Sequence, residues 1–108
     1  MNSRDKGKRG ELEFAAFLRG HGYEARRGQQ FSGGHDSPDV VHSIPGIHVE
    51  VKRVENFSLY PALDQAERDR QDGQVPVVFH RRNHKPWVAI VDAGDFIKLL
   101  KEANANAK

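Results

Sequence analysis

The sequence predicts an α/β fold in one domain, with the element order α-β-β-β-α-β-β-α. Its 108 residues suit one compact domain. Hydrophobic residues make up 37% of the chain and occur in short runs, which is enough for one modest core. Some of these runs have helical spacing and others alternate with a period of two, which is the mixture that an α/β fold requires.

The first element is a helix from about Arg9 to Arg19. Its apolar residues return at helical spacing on one face, and Gly20 ends the pattern. That face consists of Phe14, Ala15, Phe17 and Leu18. Residues 23–27 follow as a short edge strand. Residues 28–38 are predicted to be a loop, because they contain two adjacent glycines and a proline.

Two predicted strands come next, at residues 39–42 and 47–54. The turn between them contains Pro45 and Gly46, which predicts that the two strands pair as a hairpin. Side chains alternate along the second strand. One face therefore carries Ile47, Val49 and Val51, and the other carries His48, Glu50 and Lys52.

A second helix is predicted for residues 59–71, where Pro61 is acceptable because it lies in the first turn. Its buried stripe is expected to be Leu59, Ala62, Leu63 and Ala66. Residues 75–80 and 86–91 then form a hairpin, and the last helix begins near Asp95. That helix carries Phe96, Ile97, Leu99 and Leu100.

The domain is expected to span residues 1–102, followed by a flexible tail at residues 103–108. The chain has no cysteine, which excludes disulfides and thiolate metal sites. No apolar stretch approaches the ~20 residues of a membrane-spanning helix. The first residues lack the apolar segment of a signal peptide, so we expect a cytoplasmic protein.

The distribution of charge says more than the total. The formal net charge is only +2, but basic residues cluster near Arg9, at residues 26–27, at residues 52–53 and at residues 81–85. If the fold gathers these clusters on one side, they form a phosphate-binding surface. If it scatters them, they are ordinary solvated charge, and the clustering alone leaves both interpretations open.

Asp39, Glu50 and Lys52 predict the chemistry of the chain. If the strands at 39–42 and 47–54 pair, Asp39 lies beside Glu50, because adjacent strands are about 4.8 Å apart. Two carboxylates form a hard oxygen site suited to Mg²⁺, and the main-chain carbonyl of Val51 can add an oxygen. Lys52 would place an ammonium there to orient a water or stabilise a phosphate under attack. The alternative is a turn aspartate and a salt bridge on a solvated sheet face.

A third carboxylate can come from the first helix, where Glu11 and Glu13 compete. Glu11 flanks the buried face, because it lies three and seven residues before Phe14 and Leu18. Glu13 points further from that face. The sequence therefore favours Glu11 as a direct or water-mediated metal contact and leaves Glu13 as the alternative.

Four segments occur in a recognisable order: K-G-K-R-G-E-L-E at 6–13, G-Y-E-A-R-R at 22–27, P-D-V-V at 38–41 and H-V-E-V-K at 48–52. This order resembles the archaeal-type Holliday junction resolvases, which belong to the PD-(D/E)XK nuclease superfamily. Small phage and prophage resolvase-like nucleases are also similar, through L-D-Q-A at 63–66 and H-R-R-N at 80–83. The resemblance covers roughly residues 6–92. The loop Q-Q-F-S-G-G-H-D is longer here than the glycine-serine segment of the resolvases.

The resemblance implies a mixed β-sheet flanked by helices and a metal-dependent DNA endonuclease of recombination or repair in a prokaryotic or phage-infected cell. Carried over by position, the catalytic residues are Glu11, Asp39, Glu50, Lys52 and Gln65. The expected cofactor is Mg²⁺, for which Mn²⁺ can substitute. The expected DNA contacts are Arg9, Arg26, Arg27, His35, Arg53, Arg81, Arg82 and Lys85.

The expected partner is branched or junction DNA, and a homodimer is the natural way to cut two strands. Two other functions stay open. One is a catalytically lapsed DNA-binding protein on the same fold, and the other is a duplex-specific restriction or repair nuclease.

The six histidines of the chain raise the question of a zinc site. His35, His42 and His48 would cluster if the loop folded back over the strands. They lack the short paired spacings of zinc sites, and no cysteine assists them, which disfavours zinc.

Overall fold

The computed structural model describes residues 3–28 and 39–106 of the chain. These residues form three helices and five strands in the predicted order, which confirms the α/β class. The elements are α1 (Ser3–Gly20), β1 (Ala25–Arg27), β2 (Val40–His42), β3 (Ile47–Arg53), α2 (Leu59–Asp69), β4 (Val75–Arg81), β5 (Val88–Ile90) and α3 (Ala93–Asn106). Helix α1 begins earlier than predicted, and α3 continues past residue 102. None of these three helices is both long and apolar enough to cross a membrane.

The strands of the described residues form two sheets. Strands β1 and β2 pair antiparallel, with Arg26 opposite Val41. Strand β3 runs parallel to β4, and β4 runs antiparallel to β5, so the three-stranded sheet is mixed. Helix α2 is the crossover that a parallel pair requires. The predicted hairpin of β4 and β5 is confirmed.

The predicted hairpin of β2 with β3 is wrong, because β2 pairs with β1 and β3 pairs with β4. The linker between β2 and β3 gives the reason. At its start, the Ser43 N–H donates to the Glu24 carbonyl at 3.0 Å, beside β1. At its end, the Gly46 carbonyl accepts from the Val75 N–H at 2.9 Å, beside β4. Gly46 has a φ of 77°, which glycine adopts without strain. The linker therefore passes from one sheet to the other.

Helices α1 and α2 cover opposite faces of the mixed sheet, because the adjacent β4 residues Val77 and Val78 pack in different cores, one under each helix. Under α1, Phe14 is fully buried, and the centroid of its ring lies 4.4 Å from the ring centroid of Phe79 and 4.9 Å from that of Trp87. The main core consists of Phe14, Ala15, Leu18, Val40, Ile47, Val49, Val51, Val75 and Val77. Under α2, a smaller core is formed by Ala62, Ala66 and Val78. The small alanines allow α2 to lie close to β4.

Several residues of the predicted apolar faces are exposed. Phe17 and Leu59 are each more than a third exposed, because they lie at the margins of their helix faces. On α3, Leu99 packs against the main core. The other large apolar residues of α3 are exposed, namely Phe96, Ile97 and Leu100.

Candidate active site

The predicted acidic and basic residues meet where α1, β3 and α2 pack together. Lys52 on β3 donates a hydrogen bond from Nζ to Oε1 of Gln65 on α2, at 2.8 Å. The same Nζ lies 3.7 Å from Oε2 of Glu50. Glu11 on α1 is close enough to Glu50 and Lys52 for both charges to affect its pKa. Lys52 thus contacts Glu50 and Gln65 directly, and Glu11 lies within electrostatic range of this group; these four residues from three elements are the cluster.

Glu50 is the most buried residue of this cluster, with 3% of its surface exposed. The alternation of β3 turns its side chain away from the main core and toward the face that α2 covers. Its Oε1 lies 3.4 Å from Nε2 of His48, and its Oε2 faces Lys52. A carboxylate removed from water costs free energy unless charges or hydrogen bonds replace its hydration. His48 and Lys52 supply that replacement.

Glu11 is the helix carboxylate of the cluster and is 9% exposed. It accepts a hydrogen bond from Nε of Arg27 at 2.8 Å. Burial raises the pKa of Glu11 above its ordinary value of 4.5, and the charge of Glu50 raises it further. The hydrogen bond and charge of Arg27, and the charge of Lys52, oppose this rise in pKa.

Glu13 lies elsewhere, as part of a different set of ion pairs. Its Oε2 is 3.4 Å from Nε of Arg53, and its Oε1 binds Arg81. Arg53 also contacts the carboxylate of Glu55 at 3.1 Å. The structure thus brings Glu11, and not Glu13, to Glu50 and Lys52.

The predicted DNA contacts fall into two groups. Arg27, Arg53 and Arg81 bind carboxylates of the protein itself. Four others are exposed and form no ion pair with any residue that the structure describes, namely Arg9, Arg26, Arg82 and Lys85. His35 lies outside the described residues.

Asp39 lies directly before β2 and is half-buried. Its carbonyl accepts a hydrogen bond from the Gly28 N–H at 2.8 Å, which continues the pairing of β1 with β2. In this register Arg27 lies opposite Val40. The main chain of Asp39 is therefore tied to β1, whose Arg27 binds Glu11, and not to β3 as the predicted hairpin required.

The oxygen atoms of the cluster are of the kind that Mg²⁺ prefers. Mg²⁺ commonly binds to one or two carboxylates and keeps several waters. Glu11, Glu50 and the main-chain carbonyl of Val51 can supply such oxygens. Across residues 3–28 and 39–106, no three His, Asp or Glu side chains are arranged to ligate one metal ion. A divalent cation held by these oxygens alone would keep several waters as its other ligands.

His48 is a neighbour of the cluster to which sequence reasoning assigned no role beyond the disfavoured zinc site. The alternation along β3 already placed it on the same face as Glu50 and Lys52, and that placement is the signal that could have identified it. His48 is 7% exposed. Together with His42 and Asp69, it lines a polar cavity of about 190 Å³.

His42 makes the stability of the fold depend on pH. Burial lowers the pKa of His42 below its ordinary value of 6.5, and the charge of nearby His48 lowers it further. Nδ1 of His42 accepts the Ile44 N–H at 3.1 Å, which requires an unprotonated nitrogen. The imidazole of His42 therefore binds a proton more readily in the unfolded chain than in the folded chain. The contribution of neutral His42 to the free energy of unfolding is complete above pH 6.5 and is lost as the pH falls through the lowered pKa.

We expect the free energy of unfolding to fall more steeply in the wild type than in His42→Asn as the pH is lowered from about 7.5 to about 5.5. The Oδ1 of asparagine can accept the same N–H and does not titrate. Urea unfolding, followed by the fluorescence of the single tryptophan, measures both slopes. The titration of Glu11 contributes equally to both slopes, so it cancels in their difference. Identical slopes would exclude His42 as the titrating group.

No protein-family model, curated protein or solved structure matches this chain. The geometry of the cluster is accordingly the basis for a functional proposal.

Proposed function

We propose that this chain is a metal-dependent endonuclease of the PD-(D/E)XK type that hydrolyses phosphodiester bonds in branched DNA. The supporting observation is the convergence of Glu11, Glu50, Lys52 and Gln65 from three elements. A salt bridge on a solvated sheet face does not account for it. Glu50 is buried, and Lys52 is held by a second partner, Gln65 on helix α2.

In this proposal Asp39, Glu50 and the main-chain carbonyl of Val51 would hold Mg²⁺ or Mn²⁺, and Glu11 would contact it directly or through water. A divalent cation bound there would supply Lewis-acid chemistry for the phosphate and the attacking water.

The residues around the cation act on the water and the phosphate. Lys52 orients the attacking water and offsets the negative charge that develops on the phosphate. Gln65 fixes the direction of that ammonium through its 2.8 Å hydrogen bond. The water oxygen forms a bond to phosphorus and gives up its proton to solvent, while the bond to the 3′-oxygen breaks in line. The leaving 3′-oxygen takes a proton from solvent to become a 3′-hydroxyl, and a 5′-phosphate remains. Arg27 keeps Glu11 beside the cluster.

The exposed basic residues Arg9, Arg26, Arg82 and Lys85 are available for DNA phosphates. Such contacts position a nucleic acid without reading its sequence. This suits an enzyme directed by the shape of its substrate. A homodimer would present two such sites to the two strands of a junction.

A panel of DNA substrates tests this function. Purified protein is incubated with four-way, flapped, linear and supercoiled DNA in Mg²⁺, in Mn²⁺ and in EDTA. We expect branched DNA to be cut fastest, both metals to support cutting, EDTA to abolish it, and the products to carry 5′-phosphates.

The other outcomes distinguish the alternatives. DNA binding without cutting in either metal would indicate a lapsed nuclease that only binds DNA. Equal cutting of linear and branched DNA would indicate a duplex-specific enzyme. A protein that is strictly monomeric in solution would be expected to nick one strand of a junction and not to cut two.

A further inference from the structure

We infer that His48 is a positioning residue that orients the Glu50 carboxylate for cation binding, an inference that rests on the proposed function. His48 and Glu50 occur two residues apart on the same face of β3, so their side chains are neighbours. Nε2 of His48 lies 3.4 Å from Oε1 of Glu50, and both side chains are almost completely buried.

The Glu50 carboxylate has a neighbour at each oxygen. His48 is at Oε1, and the Lys52 ammonium, 3.7 Å away, is at Oε2. Lys52 is itself bound to Gln65. These contacts leave the carboxylate little freedom to rotate. Groups that hydrogen-bond a metal-ligating carboxylate orient it, and their loss typically costs about 10–100-fold in metal affinity.

A structural role in the core explains His48 less well. The core under α2 consists of small apolar residues, whereas His48 borders a polar cavity with His42 and Asp69. A buried imidazole must have a hydrogen-bond partner. No buried side-chain nitrogen or oxygen of the described residues lacks one. For Nε2 of His48 that partner is Glu50.

Two substitutions separate the hydrogen bond from the volume of the ring. His48→Leu removes the nitrogen at this position, and His48→Gln keeps an amide group that can reach Glu50. Isothermal titration calorimetry of the DNA-free full chain gives dissociation constants for Mg²⁺ and Mn²⁺. We expect His48→Leu to weaken metal affinity about tenfold and His48→Gln to stay within about threefold of the wild type. At saturating metal, kcat and KM for four-way DNA should largely recover.

Val49→Ala is the matched control for lost stability. Val49 is the next residue of β3, is buried on the opposite face, and belongs to the main core. Its truncation should lower the free energy of unfolding and leave metal affinity unchanged. In a Glu50→Gln background, His48→Leu should cause no further loss of metal affinity, because its effect acts through Glu50.

The outcomes separate the inference from the function on which it rests. Wild-type metal affinity in His48→Leu, together with weakened affinity in Glu50→Gln, would overturn the inference and leave the metal site in place. Equal affinity of the wild type and Glu50→Gln would show that Glu50 does not bind the metal, which overturns both.

Discussion

Glu50→Gln should reduce metal-dependent cleavage by about 10³-fold or more while leaving the chain at least as stable as the wild type. The substitution keeps the shape of the side chain and removes its negative charge. Glu50 is 3% exposed, so its ionised form depends on Lys52 and His48 to replace water. Removing the buried charge removes the free-energy cost of taking a carboxylate out of water, and Lys52 keeps its hydrogen bond to Gln65. Gain of stability with loss of activity is the expected signature of a functional carboxylate.

Glu55→Gln is the control for this prediction. Glu55 is an exposed carboxylate just beyond β3 that binds Arg53 and the Asn83 N–H. It lies outside the cluster of Glu11, Glu50, Lys52 and Gln65. We expect Glu55→Gln to cut DNA at the wild-type rate. Cleavage is followed on four-way DNA in Mg²⁺, and stability is followed by urea unfolding. Cutting by Glu50→Gln at the wild-type rate would exclude the proposed site.

The parts of the site that could be predicted depend on local spacing. Alternation along β3 predicts that Glu50 and Lys52 share a face, and their charged atoms lie 3.7 Å apart. Helical spacing favours Glu11 over Glu13, and Glu11 lies with Glu50 and Lys52. Both relations are fixed within a few residues of chain, so they need no knowledge of the tertiary fold.

The pairing of strands could not be predicted in this way. Strands β1 and β2 contain three residues each, so few hydrogen bonds distinguish one partner from another. The choice depends on contacts distant in sequence, such as the Ser43 N–H with the Glu24 carbonyl. The turn residues Pro45 and Gly46 indicate that the chain changes direction. They do not indicate which strand pairs with the strand that follows the turn.

The partners of the basic residues are a second feature that local sequence does not contain. Arg53 and Arg81 belong to basic clusters that suggested a DNA surface, yet both bind Glu13 on α1. Gln65 lies off the predicted apolar stripe of α2, a position that is typical of a surface residue, yet its side chain accepts the Lys52 hydrogen bond. In each case the partner is brought close by helix packing on the sheet.

Gly10→Ala should destabilise the protein, whereas Gly7→Ala in the same helix should stabilise it. Alanine is preferred to glycine inside a helix by about 1 kcal/mol. At Gly7 an added Cβ meets nothing within 4 Å. At Gly10 it would lie 2.5 Å from Cβ of Arg53, an atom attached to the main chain of β3. Relief requires α1 to move away from β3, and such overpacking costs about 1–3 kcal/mol, which outweighs the helical gain.

That movement should also reach the site, because Glu11 follows Gly10 directly. Displacement of α1 from β3 separates Glu11 from Glu50 and Lys52, and a misplacement of about 1 Å can cost up to about 10²-fold in rate. We expect Gly10→Ala to cut DNA about 10-fold to 100-fold more slowly and Gly7→Ala to cut at the wild-type rate. Urea unfolding and cleavage of four-way DNA measure both effects.

Arg53→Gly removes the opposing Cβ, so Gly10→Ala should be less destabilising in that background. Equal stability changes at the two glycines would mean that α1 and β3 do not approach this closely. The close packing at Gly10 would then not explain the position of Glu11.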